Sequence, residues 1–278
     1  MRPVLEAFSA EGLTPEHGFT AAARDEARLT NDALSRGFRH IVAVGGDGTW
    51  SNVADALLKA GVRDAALGLV PAGTGCDLAK SLGIPSRDLG RCARIVRAGR
   101  TRRIDVGRIE DRHFLNVAGF GIDIAVIEDS WNVRYLGGNL LYLYCALRQV
   151  YSFPGFGVEI QADAGPAVRE QLMLLAIANG RVFGGGFHIA PRADLCDGQL
   201  DGMAFRNMGL ARRLGIMGKL LRGTHESAPE VTASRASRYR LRFDAPPAYE
   251  TDGEWNRARS GELLVESLPA ALAVLAPA

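Results

Sequence analysis

The chain has 278 residues, of which 47% are hydrophobic, and its formal net charge is +2. This length and composition support a substantial core, in one large or two modest domains, and the small charge does not indicate a nucleic-acid partner. The four cysteines lack CxxC spacing, which argues against a zinc site or disulfide framework and is typical of a reducing cytoplasm. No signal peptide is apparent, and the strongest apolar segment, 140–147, is far shorter than the roughly 20 residues that cross a bilayer.

Two helices are predicted before the first strand. Leu5 and Phe8 belong to the first, and the second is predicted over 21–34, with Thr20 as its N-cap. An α/β domain of this kind usually starts with a strand, but none fits before residue 4. We therefore expect that the chain lacks its natural first strand and that the strand at 41–44 is left with an open edge.

A glycine-rich turn at 45–49 separates a buried strand from a helix. Residues 41–44 read as a parallel strand, and an apolar stripe at helical spacing follows from Val53. Glycines without Cβ atoms, next to free N–H groups at a helix start, favour phosphate binding. A carboxylate at Asp47 fits this site if a cation or a hydroxyl proton shares it, whereas the alternative is a plain Asp-Gly turn with a solvated Asp47.

The same layout repeats at 66–82. A strand over 66–70 ends in Pro71-Ala72-Gly73-Thr74-Gly75-Cys76-Asp77, and a helix is predicted over 78–82. Two glycine turns at neighbouring strand ends would face one crevice, which is where open α/β sheets bind ligands.

From about residue 103 short strand-like runs dominate, as in an antiparallel sandwich. The strands are predicted over 103–109, 113–118, 157–162, 172–178, 199–205, 238–243 and 262–266. Two helical segments, 131–150 and 208–222, interrupt them, and 223–236 is predicted as an exposed loop. The first helical segment is apolar enough to be either a core helix or part of an acyl-chain cleft. The second carries leucines beside basic residues, so it could pack on the sandwich or lie on an anionic membrane surface.

Two acidic segments follow in this half. Asp194, Asp197 and Gln199 offer oxygen ligands that suit a hard cation such as Mg²⁺, although a plain turn between strands is equally compatible. Asp252-Gly253-Glu254 could place one carboxylate on a metal and one on a substrate hydroxyl, but on its own a hairpin turn is favoured.

Taken together, these motifs closely resemble the diacylglycerol kinase catalytic-domain family, which includes bacterial lipid kinases and sphingosine kinases. The matching motifs are Gly45-Gly46-Asp47-Gly48-Thr49, Pro71-x-Gly73-Thr74-Gly75-x-Asp77, Asn179-Gly180-Arg181-x-x-Gly184-Gly185-Gly186, Pro191-x-Ala193-x-x-x-Asp197-Gly198 and Asp252-Gly253-Glu254. They occur in the family's order and cover nearly the whole chain. One departure is Cys76, where the family usually has Asn.

The resemblance implies an N-terminal α/β nucleotide-binding domain, similar to NAD kinase and phosphofructokinase, followed by an antiparallel β-sandwich. We place the boundary at 103/104, giving domains 1–103 and 104–278, and leave open whether the last residues return to the first domain. ATP is expected in the cleft between them. The residues implied in ATP binding are Thr20, Gly45, Gly46, Asp47, Gly48, Thr49, Trp50, Ser51, Asn52, Gly73 and Thr74.

The resemblance also implies the chemistry. Glu254 is the expected proton acceptor, with Asp252 and Asp47 as further catalytic candidates, and the segment carrying Asp194, Asp197 and Gln199 is expected to bind a structural Mg²⁺. The expected function is ATP-dependent phosphorylation of a diacylglycerol-like or sphingoid lipid by a cytoplasmic enzyme peripheral to the membrane. No nucleic-acid partner is expected, and a homodimer is left open. The rivals are an NAD kinase-type enzyme for a soluble metabolite and a nucleotide-binding protein impaired by its missing N-terminus.

Overall fold

The structure, a computed structural model, describes residues 1–73, 75–133 and 138–277, without the side chains of 138–140, 142 and 143. The helices are α1 (Arg2–Ala10), α2 (Glu26–Ser35), α3 (Asp47–Ala60), α4 (Asp77–Ser81), α5 (Leu89–Ala98), α6 (Ile122–Asn132), α7 (Gly138–Ser152) and α8 (Leu210–Leu220). The strands are β1 (His40–Gly45), β2 (Ala66–Pro71), β3 (Thr101–Ile109), β4 (Arg112–Phe114), β5 (Val117–Gly121), β6 (Phe156–Ala162), β7 (Ala167–Ala178), β8 (Leu200–Arg206), β9 (Val231–Ala236), β10 (Arg238–Arg242), β11 (Ala248–Thr251), β12 (Glu254–Arg257) and β13 (Glu262–Leu275).

The N-terminal part is a small α/β layer structure. Strands β1 and β2 run parallel in register, and the C-terminal end of β13 continues the sheet parallel to β2. Helix α3 follows β1 and buries one stripe, with Trp50, Val53, Ala54 and Leu57 packed into the core. It ends at Ala60 and is followed by Gly61, whose left-handed φ of +67° suits a residue without Cβ. This packing fixes the carboxyl end of β1 against the start of α3.

Strand β13 connects the two halves of the molecule. Its first half pairs antiparallel with β10, and β3 follows it along its other edge. A register shift between Leu268 and Leu272 redirects the strand, and Ala270 has a left-handed φ of +48° in this break. After the break, β13 lies beside β2, so one strand belongs to both halves.

The C-terminal half is built from antiparallel strands. The order β10-β6-β7-β5-β11-β12 is continuous, and β8 and β9 extend from the second half of β7. Long β7 pairs first with β6 and then with both β5 and β8, and its buried residues contribute to two apolar cores. One apolar core lies around Phe114, Phe120 and Tyr239, and another lies around Phe205 and Ile216.

The predicted fold class, an α/β domain followed by an antiparallel sandwich, is confirmed by this arrangement. Several element predictions were wrong. Helix α2 begins at Glu26, with Asp25 rather than Thr20 at its N-cap, because the Asp25 carboxylate accepts the Ala21 N–H and holds 21–25 in a turn. Trp131 lies in the last turn of α6 instead of starting the next helix, and the predicted loop 223–236 contains β9. In the described part of the chain, no helix is both long and apolar enough to cross a bilayer.

Candidate active site

Two glycine turns meet at the carboxyl ends of β1 and β2. The Gly45 carbonyl accepts the N–H groups of Ala72 and Gly73 at 2.8 and 3.2 Å. A Cβ atom on Gly73 would lie 2.6 Å from the Gly46 Cα, closer than van der Waals contact allows. The sequence therefore needs glycine here because two backbones touch.

Asp47 holds the second turn in place from the first turn of α3. Its carboxylate accepts the Asp77 and Leu78 N–H groups, both at 3.1 Å, and the Asn116 side-chain amide at 3.2 Å. These donors compensate the carboxylate charge. Asp47 is therefore an anchor that holds α3, α4 and the segment before β5 together.

A third glycine segment closes on α4 from the C-terminal half. The Asp77 carboxylate accepts the Gly185 N–H at 2.9 Å. Lys80 donates to Asp77 and to the Gly185 carbonyl, both at 2.8 Å. Gly184 and Gly185 have left-handed φ values of +61° and +82°, which allow the loop to turn towards α4.

Asp252 is a buried anchor beneath the turn between β11 and β12. Its carboxylate accepts three backbone N–H groups, from Leu115 at 2.7 Å, Asn116 at 2.8 Å and Val117 at 3.1 Å. Ser51 also hydrogen-bonds to it. Burial raises the pKa of Asp252 to about 6, against the opposing effect of these donors. With both oxygens in use, Asp252 is better suited to positioning than to proton transfer.

Glu254 follows directly at the start of β12 and differs from these anchors. Its Oε1 lies 3.3 Å from the position that a Cβ would take on Gly48, at the beginning of α3. The side chain is only half-buried, and its carboxyl accepts no hydrogen bond from another described residue. It is therefore the acidic group free to receive a proton beside the glycine turn.

The remaining predicted nucleotide residues occupy different positions. Trp50 is fully buried, and its indole N–H donates to the Ala43 carbonyl at 3.1 Å, so its ring belongs to the core. The Thr49 side chain packs against Gly45, and Asn52 is half-buried. Thr20 is exposed between α1 and α2, and no hydrogen bond within the described ranges ties it to the glycine turns. Thr74 lies outside the described residues.

Cys76 occupies a left-handed backbone position before α4, with φ of +55° and ψ of +44°. Asparagine adopts this conformation several-fold more readily than most residues, which gives a physical reason for the family's usual residue. The thiol points towards the Gly73 carbonyl at 3.4 Å, and burial raises its pKa. Cys76 is thus compatible with the turn but poorly suited to hydrogen bonding in it.

The predicted metal segment forms tight turns. Asp194 accepts the Cys196 N–H at 3.1 Å, and Asp197 accepts the Gln199 N–H at 3.0 Å. Arg102 lies 3.8 Å from Asp194. In the chain as described, no three His, Cys, Asp or Glu side chains converge as a metal-ligand cluster.

Sequence reasoning missed Asn116 and Asp105. Asn116 bridges two anchors, since its N–H donates to Asp252 and its side chain donates to Asp47. Buried Asp105 lies beneath the metal segment and accepts the Gly198 and Ala270 N–H groups. Their partners are distant in sequence, so only the polarity of these residues in apolar strand surroundings could have marked them.

Comparison with known proteins identifies the family. Residues 1–109 match the family described as "Diacylglycerol kinase catalytic domain", and residues 116–276 match "YegS C-terminal NAD kinase beta sandwich-like domain". A diacylglycerol kinase of Bacillus subtilis (strain 168) is 30% identical, over 94% of this chain and 86% of that protein. The chain belongs to the diacylglycerol kinase catalytic-domain family. It is therefore a lipid kinase, and it uses ATP as kinases of this family do.

Solved structures support the fold assignment. The crystal structure of a diacylglycerol kinase from Bacillus anthracis str. Sterne superposes with a TM-score of 0.76 at 20% identity, covering 99% of this chain and 91% of that one. An NAD kinase from Archaeoglobus fulgidus in complex with ATP reaches a TM-score of 0.51 at 14% identity, covering 99% of this chain and 88% of that one. At these identities both show the fold alone.

Proposed function

We propose that this lipid kinase transfers the γ-phosphoryl group of ATP to the hydroxyl of a diacylglycerol-like or sphingoid lipid, with Glu254 as proton acceptor. One observation carries the proposal. Of the three predicted catalytic carboxylates, Asp47 and Asp252 are occupied by backbone donors, whereas Glu254 stands free beside the start of α3.

The chain contributes mainly positioning, as phosphoryl transfer requires. The glycine turns leave backbone N–H groups near the N-terminus of α3, which suits the negative charge of a triphosphate. As the lipid oxygen bonds to the γ-phosphorus, the bond to the oxygen of departing ADP breaks and the hydroxyl proton passes to Glu254. Asp47, Asp77 and Asp252 keep the three converging segments in register.

We further propose that Asp194, Asp197 and Gln199 hold a structural Mg²⁺. Two carboxylates on one loop suit a hydrated Mg²⁺ that retains several waters. Arg235 lies 3.5 Å from the Asp197 Oδ2 and would have to yield to a directly bound ion. Melting the protein with EDTA and with added Mg²⁺ tests this, since equal melting temperatures for the two samples would exclude a structural ion.

The expected partner is a lipid at a membrane surface, and α8 is the surface we propose for contact. Leu210, Leu214 and Leu221 are 42%, 48% and 55% exposed along this helix and its end. Lys219 and Arg222 lie on the same segment, where they would favour anionic headgroups. Co-sedimentation with anionic and neutral vesicles measures this, and equal binding to both would exclude the charge contribution.

A homodimer through the edge of β1 is a further proposal, because within the described residues β1 pairs only with β2. Sedimentation velocity would detect it, and a monomer at all concentrations would exclude it. We also propose that the protein does not bind nucleic acid, in keeping with its small net charge of +2.

The deciding experiment is Glu254→Gln assayed with ATP against diacylglycerol, sphingosine and NAD. Loss of the proton acceptor is expected to lower kcat by roughly 10²-fold or more with little change in ATP affinity. Glu262→Gln is the matched control, because Glu262 is exposed on β13 and paired with Arg242. Near-normal turnover of the folded Gln variant would overturn the assignment of Glu254. Phosphorylation of NAD without lipid would favour the NAD kinase rival, and ATP binding without any transfer would favour a binding protein.

A further inference from the structure

Two buried carboxyl groups beside the Asp252–Glu254 turn have no part in the chemistry described so far. Asp123 lies in the first turn of α6 and is 9% exposed, and Glu250 on β11 is fully buried. One oxygen of each, Asp123 Oδ2 and Glu250 Oε1, has no hydrogen-bond partner among the described residues. Buried polar atoms are nearly always paired, so two such oxygens in one place require an explanation.

The two unpaired oxygens converge on Gly119. Gly119 and Glu250 are opposite each other in the β5–β11 ladder. A Cβ on Gly119 would lie 1.8 Å from the Asp123 Oδ2 and 2.7 Å from the Glu250 Oε1. Both oxygens therefore occupy space that the missing side chain leaves, and they are separated by no more than the sum of those distances. Two carboxylates this close cannot both remain ionised without a cation between them.

No cation is at hand in the part of the chain that the structure describes. No Lys, Arg or His forms an ion pair or hydrogen bond with either carboxyl, and the facing stretch of β7, 172–178, contains no titratable residue. On α7, Arg148 is paired with Asp129, 3.0 Å away.

On β11 and β12, Tyr249 donates to Glu110 at 3.0 Å and Arg257 is exposed. Besides Asp129, the remaining titratable groups on α6, β12 and the turn are Asp252, Glu254 and Glu128, all acidic, and Glu128 accepts the Trp255 indole N–H at 3.1 Å. Burial raises the pKa of Asp123 to about 7. Burial and the charge of Asp123 raise the pKa of Glu250 well above its usual range. A proton is the remaining means of neutralising the pair.

The second oxygen of Glu250 connects this pair to the catalytic turn. Glu250 Oε2 accepts the Gly253 N–H at 2.6 Å. Asp252 and Gly253 have left-handed φ values of +50° and +86°, a tight hairpin turn that directly precedes Glu254. The orientation of Glu250 therefore helps to fix the direction from which Glu254 leaves the turn.

We propose that Asp123 and Glu250 share one proton and that the resulting pair is a positioning element for Glu254. Loss of the shared proton at alkaline pH leaves both carboxylates negatively charged and close together beside Gly119. Rotation of Glu250 away from Asp123 relieves the repulsion but breaks its bond to Gly253, which loosens the turn. The effect on catalysis rests on the proposed function, whereas the shared proton does not.

Infrared spectroscopy tests the shared proton without any activity measurement. At neutral pH the wild-type protein is expected to show the carbonyl stretch of a protonated carboxyl group, and this band should disappear as the pH is raised. Glu250→Gln should remove the band, because its amide can donate to an ionised Asp123. Glu262→Gln, which changes an exposed carboxyl, should leave it unchanged. A wild-type spectrum without a band that Glu250→Gln removes would overturn the proposal.

The pH dependence of kcat tests the positioning role. The wild type is expected to lose kcat at alkaline pH, and Glu250→Gln should abolish that loss while keeping near-normal kcat at pH 7. Glu250→Ala should lower kcat about tenfold or more at every pH, with the KM for ATP unchanged, because small displacements of a catalytic group are costly. Rescue by Gln but not Ala distinguishes positioning from loss of folding.

Two results would contradict positioning. One is an unchanged alkaline limb in Glu250→Gln, and the other is an Asp123→Asn variant that alters only the KM for lipid, as expected of a direct substrate contact. If the wild type transfers phosphate to no lipid, the proposed function fails, and the infrared band still decides whether the pair shares a proton.

Discussion

Single backbone contacts decide the shape of the cleft proposed to bind ATP, and Gly73 is the clearest case. Gly73→Ala would bring a Cβ within 2.6 Å of the Gly46 Cα, so one glycine turn must move. Overpacking of this kind costs about 1–3 kcal/mol, and we expect ATP affinity to fall roughly tenfold or more. Isothermal titration of the folded variant with ATP measures the change.

The matched control for that experiment is Gly90→Ala in α5. A Cβ there would make an ordinary contact of 3.6 Å with the Asp88 carboxylate, so ATP affinity should not change. Unchanged ATP affinity in Gly73→Ala would mean that the two turns need not touch when nucleotide binds.

The roles of individual carboxylates were the least predictable residue-level feature. The two glycine turns were correctly expected at neighbouring strand ends, since their spacing after buried strands indicates this, but the direct contact of Gly73 with Gly46 was not predicted. The carboxylate of Asp252 instead depends on N–H groups of Leu115 and Asn116, more than 130 residues away in sequence. No local pattern indicates such partners, so an anchor and a proton acceptor look alike in sequence.

Among the helices, the junction of α7 and α8 depends on one buried cation. Arg213 donates to the carbonyls of Val150, Phe153 and Met208 at 2.8–2.9 Å and to the Asn207 Oδ1 at 2.7 Å. Arg213→Met would leave these acceptors without donors at the end of α7. We expect a loss of about 2–4 kcal/mol in the free energy of unfolding, measured by denaturant titration.

Arg212→Met is the control for this junction. Arg212 is exposed on the same helix and makes a 3.4 Å ion pair with Glu230, so its removal should cost less than about 1 kcal/mol. Equal effects of the two substitutions would show that Arg213 contributes no more than a surface charge.

Strands were predicted correctly where buried and exposed residues alternate, and helices were predicted correctly where apolar residues recur at helical spacing. Strand β10 alternates strictly, with Tyr239 and Leu241 buried between exposed arginines, and it was predicted. Strand β9 was missed because its buried residues are Val231 and Ala236, at its two ends, and the residues between them include no large apolar side chain. Pairing with β8 stabilises that strand, and such pairing leaves no period in the sequence.

At the scale of the whole molecule, β13 illustrates why the strand topology could not be predicted from the sequence. Leu263 and Val265 alternate with exposed neighbours, and only this first part was predicted as a strand. Beyond the register shift, Leu272 to Leu275 are buried consecutively, because β2 and β3 flank the strand there. A single strand with two burial periods is recognised only when both halves of the fold are known.

The acid stability of the whole fold should depend on His225. Its ring is buried and stacked on Phe205, its Nε2 donates to the Ile189 carbonyl at 3.0 Å, and its Nδ1 has no partner among the described residues. Burial lowers the pKa of His225, so the neutral imidazole is favoured in the folded state. The unfolded chain then binds more protons below about pH 6.5, and the stability contributed by neutral His225 is lost as the pH falls through and below that value.

Comparison with His225→Gln isolates this contribution. The buried carboxyl of Asp123 acts in the opposite direction, because its raised pKa of about 7 lets the folded chain keep a proton as the pH rises from 4 to 7. The pH profile of the wild type alone therefore mixes both effects, whereas the difference from His225→Gln does not, since Gln can still donate to the Ile189 carbonyl. Between pH 7 and 5 we expect the free energy of unfolding of the wild type to decrease relative to that of this variant. His17→Gln, at an exposed histidine, should follow the wild type, and parallel curves for all three proteins would mean that His225 is protonated as readily in the folded chain as in the unfolded one.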